Sequence, residues 1–148
     1  RVGLGHKAHS GSAAQARDVE DLALRAGRVP AFDELDIDAV LMGHDHVYVR
    51  TYQMKGDVVV GEITYNEDGA VVDPDGAVYL TGNSASDSKY YEMRELSVYE
   101  RYSAVALQLE EPTYMNVEVT DDSLTFTTYK VSNLSVVDAY SIVKTVGE

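Results

Sequence analysis

The chain is 148 residues long, with 25 acidic and 12 basic side chains, a formal net charge of −13 and no cysteine. With 45% hydrophobic and 25% charged residues, its composition is that of a globular domain rather than a disordered segment. The negative charge disfavours nucleic acid as a partner, and the absence of cysteine excludes disulfides and thiolate metal sites. The sequence has no apolar run of the roughly 18 residues that a membrane span needs.

The first 42 residues alternate between strand and helix patterns. Residues 1–5 are predicted to be the end of a buried strand, which runs directly into His6. Apolar residues recur at helical spacing after Asp18, which suits an N-cap, and Pro30 is predicted to start a second helical turn. The apolar run 37–42 is the next predicted strand. Strand, helix and strand with a crossover of this length form a βαβ unit, which favours parallel pairing of the two strands.

Beyond residue 46 the sequence predicts mainly antiparallel strands. Turn-forming sequences separate the apolar runs in this part of the chain. The predicted strands are 47–54, 58–65, 77–81, 103–109, 115–120, 123–131 and 139–143. The strands between 103 and 131 are expected to form an antiparallel meander, with Asp121 and Asp122 in the hairpin turn. For residues 90–102 the sequence is ambiguous, and a short helix is one alternative. The fold class is therefore α/β or α+β, a βαβ unit followed by antiparallel strands in a single domain of residues 1–148.

Histidines stand at the ends of both predicted strands of the βαβ unit. His44 and His46 follow the second strand, and in an extended backbone two residues at this spacing point to the same face, whereas Asp45 points to the other. Gly43 permits a tight turn into this position. Because sites form at the carboxyl ends of parallel strands, His6 is expected to converge with the two imidazoles. This convergence favours a metal site over ordinary strand-end histidines.

Two histidine blocks resemble the last two sequence motifs of the calcineurin-like metallophosphoesterases. They are residues 2–8, VGLGHKA, and residues 40–51, VLMGHDHVYVRT. Tyr48 and Arg50, together with the block 78–82, are similar to the purple acid phosphatase branch. The resemblance runs from residue 1 to about residue 91 and implies half of a two-sheet metallophosphoesterase sandwich. The earlier motifs of the family, an Asp-containing strand end, a GD block and a GNH block, have no counterpart, so the chain is expected to be the C-terminal part of the catalytic domain.

The resemblance implies a metal-dependent phosphoesterase that hydrolyses phosphomonoesters or phosphodiesters. By the family's pattern, His6 and His44 would bind one metal ion and His46 the other, with iron, zinc or manganese as the ions in the full-length protein. Two such ions about 3.5–4 Å apart clamp phosphate oxygens and lower the pKa of a bound water. The isolated chain is expected to be inactive without the N-terminal half of the same domain. The resemblance alone favours an extracellular or cell-surface location.

Several assignments keep an alternative. His9 is a candidate catalytic residue that would contact phosphate or donate a proton, and a loop or surface histidine is the alternative. Arg50 would approach a phosphate, since guanidinium matches phosphate geometry, or hold the loop together through a carboxylate. For the whole chain, the alternatives are a non-catalytic binding or structural β domain with a residual metal motif, and a mononuclear histidine metal site for storage or adhesion.

Overall fold

A computed structural model describes residues 29–86, 89–93 and 100–145. The strand predicted for residues 1–5 and the helix predicted after Asp18 lie outside the described residues. Two sheets and a two-stranded hairpin account for the strands of the described part. Its elements are α1 (Val29–Glu34), β1 (Ala39–Met42), β2 (Tyr48–Thr51), β3 (Met54–Lys55), β4 (Val58–Val59), β5 (Thr64–Tyr65), β6 (Val71–Val72), β7 (Val78–Thr81), β8 (Ser103–Leu107), β9 (Thr113–Val119), β10 (Ser123–Lys130) and β11 (Val136–Val143).

The helical turn predicted at Pro30 is confirmed as α1. Proline suits the first positions of a helix, where a backbone N–H would have no partner inside the helix. The helix ends at Glu34, and two residues later Asp36 adopts a φ of 53°, a left-handed conformation typical of the residues that follow a helix. Within the described ranges, no helix is long and apolar enough to cross a lipid bilayer.

The first sheet has the strand order β1-β7-β2-β8. β1 pairs in parallel with β7, with Ala39 beside Val78 and Met42 beside Thr81. β2 runs antiparallel to both β7 and β8. Every residue of β7 is buried, because a central strand rich in β-branched and aromatic residues is covered on both faces. In the described structure, the parallel partner of β1 is thus β7, a strand that follows it in the chain.

The second sheet has the order β5-β6-β11-β10-β9. Its strands β9, β10 and β11 form an antiparallel meander, and the predicted hairpin turn at Asp121 and Asp122 is confirmed. The prediction that 103–109 joins this meander is wrong, because β8 pairs with β2 in the first sheet. The apolar side chain of Ala106 in β8 packs with Val47 and Val49, which holds this strand to the first sheet.

Two predicted strands are shorter and divided in the structure. The run 47–54 becomes β2 and the start of β3, and the run 58–65 becomes β4 and β5. Among the strands that the structure describes, β4 pairs with β3 alone, whereas β5 joins the second sheet beside β6. The irregular segment between β4 and β5 thus carries the chain from the hairpin to the second sheet, a change of partner that local sequence pattern does not encode.

The two sheets face each other across an apolar core. Val78 and Leu80 of β7 contact Phe126 of β10 and Ile142 of β11, and all four are nearly inaccessible to solvent. Alternation along β7 sends Tyr79 to the opposite face, where it packs against α1 and the β3–β4 hairpin. The predicted sandwich is confirmed: the described chain is mostly strand, with mixed and antiparallel pairing and little helix.

Candidate functional site

The predicted histidine block is the loop that connects β1 to β2. This loop lies beside the carboxyl end of β7, since the N–H of Gly82 donates to the carbonyl of Met42 at 3.3 Å. β1 and β7 are parallel, so their carboxyl ends share one edge of the first sheet. Ligand sites in sheets of this kind form at that edge. His44 and His46 therefore stand where a site is expected.

The backbone through this loop is bent rather than extended. His44 has a φ of 79°, in a region that non-glycine residues rarely adopt. The prediction placed His44 and His46 on one face because it assumed an extended backbone, and this assumption is wrong. β2 runs antiparallel to β7 while β1 runs parallel to it, so the five residues between β1 and β2 must reverse the chain direction. Left-handed conformations of this kind are concentrated at functional sites.

His46 is half-buried, and its ring is held in one orientation. The Nδ1 atom lies 2.6 Å from the carbonyl oxygen of Lys89, 43 positions later in the sequence. A carbonyl oxygen can only accept, so Nδ1 carries a proton and Nε2 is the unprotonated nitrogen of the neutral ring. The ring of Tyr91 lies 4.9 Å from the imidazole, centroid to centroid. The structure thus leaves Nε2 as the available donor atom of His46.

His44 and Asp45, the two residues before His46 in the loop, differ in their exposure. His44 is exposed, whereas Asp45 is 6% exposed and buried within the loop. The bend therefore turns one imidazole towards solvent and the intervening carboxylate inwards.

Tyr48 and Arg50 continue from the loop along β2 and reach the second sheet. The hydroxyl of Tyr48 donates to Oδ2 of Asp138 at 2.8 Å. Arg50 donates to the same carboxylate from Nε at 2.7 Å and from Nη2 at 3.2 Å. Its guanidinium also lies over the ring of Tyr140, 4.5 Å from the centroid. The contact of Arg50 with a carboxylate agrees with the alternative in which this residue holds the structure together. A contact of Arg50 with substrate stays a prediction.

Burial and Asp138 together set the protonation of these two side chains. Burial raises the pKa of the Tyr48 phenol, and the hydrogen bond to Asp138 raises it further. Burial acts to lower the pKa of Arg50, but the hydrogen bond and the charge of Asp138 outweigh it, so the pKa lies above its usual value. The hydroxyl of Tyr48 is therefore neutral and the guanidinium of Arg50 charged over the physiological range.

The sequence carried little signal for the residues that hold this site together. Lys89 contacts His46 through its backbone carbonyl, which any residue has. Asp138 lies 88 positions after Arg50. Its position within a strand indicates which face of the sheet its side chain lies on, but not which distant residue it contacts. Gln108 follows β8 directly and bonds the carbonyl of His46; as a single polar residue at a strand end, it had no distinguishing pattern.

The number and kind of metal-ligating side chains decide whether these residues fit a metal ion. His6 and His9 lie outside the described residues. Within the described ranges, no three His, Asp or Glu side chains are grouped closely enough to hold an ion. The two imidazoles of the loop have the donor chemistry that suits zinc or iron. Because Nδ1 of His46 donates to the Lys89 carbonyl, Nε2 is the nitrogen that carries no proton when the ring is neutral, as metal binding requires. The described residues therefore fit a metal centre as contributors of part of its ligands.

The fold of this chain resembles part of a solved phosphatase structure. No known protein family and no curated protein matches the sequence. The solved structure of a purple acid phosphatase, PPD1 from seeds of yellow lupin (Lupinus luteus), matches 81% of this chain with a TM-score of 0.58 and 17% sequence identity. The match covers 20% of that protein, so the chain spans about a fifth of its length. The chain thus shares its β-rich two-sheet fold with a part of a purple acid phosphatase.

Proposed function

We propose that this chain supplies metal ligands to a metal-dependent phosphoesterase, as the C-terminal part of its catalytic domain. The observation that carries the proposal is the hydrogen bond from Nδ1 of His46 to the Lys89 carbonyl. Metal-binding histidines almost always donate their other ring N–H to a carbonyl or carboxylate, which sets the ring orientation and the tautomer. The position of His44 and His46 at the carboxyl edge of the sheet, and the likeness to a purple acid phosphatase, support the same conclusion.

The proposed ligands divide between two metal ions. His6 and His44 would hold one ion and His46 the other, with remaining ligands from the N-terminal half of the domain. Such a pair of ions supplies a hydroxide nucleophile at neutral pH and offsets charge on the phosphate oxygens. The net charge of −13 would otherwise repel an anionic ester. Bound cations would therefore serve substrate binding as well as hydrolysis.

The polar residues around the ligands have proposed roles of different kinds. His9 is proposed to contact the phosphate or donate a proton to the leaving group. For Arg50, the two bonds to Asp138 support a role in joining β2 to the second sheet beneath the histidine loop. In that role Arg50 would act on the site by holding the start of β2, without touching the ester.

A non-catalytic β domain with a residual metal motif is the second candidate. It is favoured by the absence of a grouped set of three ligand side chains in the part of the chain that the structure describes. The two candidates differ in whether the full-length protein retains metal.

The test is the metal content and phosphatase activity of the full-length protein. The protein should contain about two metal ions per chain and hydrolyse a generic phosphomonoester such as p-nitrophenyl phosphate. His46→Ala should remove about one ion and most of the activity. Asp75→Asn is the matched control, because Asp75 pairs with Lys55 before β7, at the opposite end of the sheet. Absence of bound metal in the unsubstituted protein and in His46→Ala alike would refute the proposal and support the second candidate.

A further inference from the structure

The side-chain amide of Gln108 joins two segments that contact His46. Its Nε2 donates to the carbonyl of His46 and to the carbonyl of Tyr91, both at 2.7 Å. Its Oε1 accepts from the backbone N–H of Glu110 at 3.0 Å. Reversing the amide would set an oxygen against two carbonyl oxygens and a nitrogen against an N–H, so the observed orientation is the one that satisfies every atom. The amide is therefore fixed in direction as well as in position.

The strand register brings Gln108 to this place. β8 pairs with β2 so that Leu107 lies beside Tyr48, and Gln108 is the next residue along. It therefore lies beside the end of the histidine loop, where the carbonyl of His46 is within reach. No local sequence pattern is needed for this contact, because the pairing of two distant strands creates it.

The segment that Gln108 ties down also contacts the imidazole directly. Lys89 accepts the Nδ1 proton of His46 through its carbonyl, and the Tyr91 ring lies 4.9 Å from the imidazole. The Gln108 bonds link the backbone of His46 to the backbone of Tyr91, two residues from that accepting carbonyl. His46, Lys89, Tyr91 and Gln108 thus form a closed ring of contacts in which both the backbone and the side chain of His46 are held.

We propose that Gln108 is a positioning residue for His46: by holding residues 89–91 against the loop, it keeps the proton of the imidazole on Nδ1 and presents Nε2 to a ligand. Gln108 itself touches neither metal nor substrate. The consequence for metal affinity rests on the function proposed above, whereas the consequence for the imidazole does not. A neutral imidazole without such an acceptor distributes its proton between both nitrogens, so removing the amide should release the Nε2–H tautomer.

Apolar packing supplies the competing explanation. Tyr91 and Met93 also pack against Val47 and Val49, and this contact alone would hold residues 89–91 in place if the amide were only a structural link. In that case removal of the amide would lower stability and leave the imidazole tautomer unchanged. The tautomer of the His46 imidazole, rather than the stability of the fold, therefore distinguishes the two explanations.

The experiment measures the imidazole nitrogens of His46 by long-range ¹H–¹⁵N NMR in the metal-free full-length protein, at a pH of about 8 or above, where imidazole is neutral. Gln108→Glu keeps the length of the side chain but cannot donate, and Gln108→Leu removes both bonds. Gln53→Leu is the matched control, because its amide donates to Tyr140 between the sheets and does not bond the histidine loop. Spectra of His46→Ala assign the resonances.

His46 should be the Nδ1–H tautomer in the unsubstituted chain and in Gln53→Leu, and a mixture of tautomers in both Gln108 variants. Zinc titration should show an affinity about 10- to 100-fold lower in the Gln108 variants, the usual effect of losing a residue that orients a ligand. A pure Nδ1–H tautomer in both Gln108 variants would overturn the inference even if zinc binds at His46. Conversely, altered tautomers in a full-length protein that binds no zinc would uphold the inference and refute the proposed function.

Discussion

Arg50 of the first sheet and Asp138 of the second form a two-point ion pair, with Nε–Oδ2 at 2.7 Å and Nη2–Oδ1 at 3.2 Å. Each side chain is only 12% exposed, and the same carboxylate accepts the hydroxyl of Tyr48. This cluster lies directly after the histidine loop along β2. Substitutions within this cluster should therefore change both the stability of the fold and its response to pH.

Asp138→Asn should lower the free energy of unfolding by about 3 kcal/mol, because a buried guanidinium is left without its counter-charge. Urea unfolding followed by circular dichroism measures the loss. Asp75→Asn is the control: it breaks a pair of similar length in which Lys55 and Asp75 are 58% and 59% exposed, and exposed pairs of this kind contribute little. An equally small effect of both substitutions would contradict the buried ion pair.

Coupling between the two partners provides a second check on the same ion pair. Replacing both residues, as Arg50→Leu with Asp138→Leu, should cost less than the sum of the two single changes, because no unpaired charge remains. The expected coupling is about 0.5–3 kcal/mol. Strictly additive losses would show that Arg50 and Asp138 do not stabilise each other.

Tyr48→Phe should flatten the decline of stability at alkaline pH. Burial raises the pKa of the Tyr48 phenol in the folded state, so above about pH 10 the unfolded chain releases this proton first. The unfolded state then binds fewer protons, and stability falls by up to about 1.4 kcal/mol per pH unit for this group. Urea unfolding between pH 8 and pH 11 measures the slope.

The same pH series contains its own control. Below about pH 9 the phenol is protonated in both states, so the profiles of the original chain and of Tyr48→Phe should run parallel, separated by the lost hydrogen bond. Some decline should remain above pH 10 in the variant, because burial also raises the pKa of Tyr140. Identical slopes above pH 10 would show that Tyr48 ionises equally in the folded and unfolded states.

Gly76→Ala should destabilise the fold far more than Gly69→Ala. Both glycines have positive φ, at 74° and 81°, so each alanine pays the cost of a left-handed conformation, about 1–2 kcal/mol. At Gly76 the added Cβ would also lie 2.1 Å from the backbone oxygen of Met54, whereas nothing lies within 4 Å at Gly69. The extra loss, measured by thermal or urea unfolding, should be about 1–3 kcal/mol. Equal losses would contradict the close approach of Gly76 to the Met54 carbonyl.

Leu80→Ala should cost about 2–5 kcal/mol, because it opens a cavity between the two sheets. Leu80 is 1% exposed and contacts the central core, whereas Leu35 is 70% exposed. Leu35→Ala is therefore the matched control and should change stability by no more than about 0.5 kcal/mol. Comparable losses at the two leucines in urea unfolding would contradict the packing of β7 against the second sheet.

Local pattern determined several features without help from the rest of the fold. The apolar run 77–81 predicted the strand that the structure shows as β7, the acidic dipeptide at 121–122 marked a hairpin turn, and the histidine block stood at the end of β1. These features depend on neighbours in sequence, because an apolar run, a turn preference and a strand-end position are set by residues a few positions apart.

Only the tertiary structure decided which distant groups meet. It placed β8 beside β2 rather than in the meander, since the same apolar strand can satisfy either sheet. It bent the histidine loop, because β2 had to return antiparallel beside β7. It also oriented His46 through the carbonyl of Lys89 and paired Arg50 with Asp138. A backbone carbonyl has no residue signature and a carboxylate has many possible partners, so these contacts follow from the assembled sheets and not from the sequence alone.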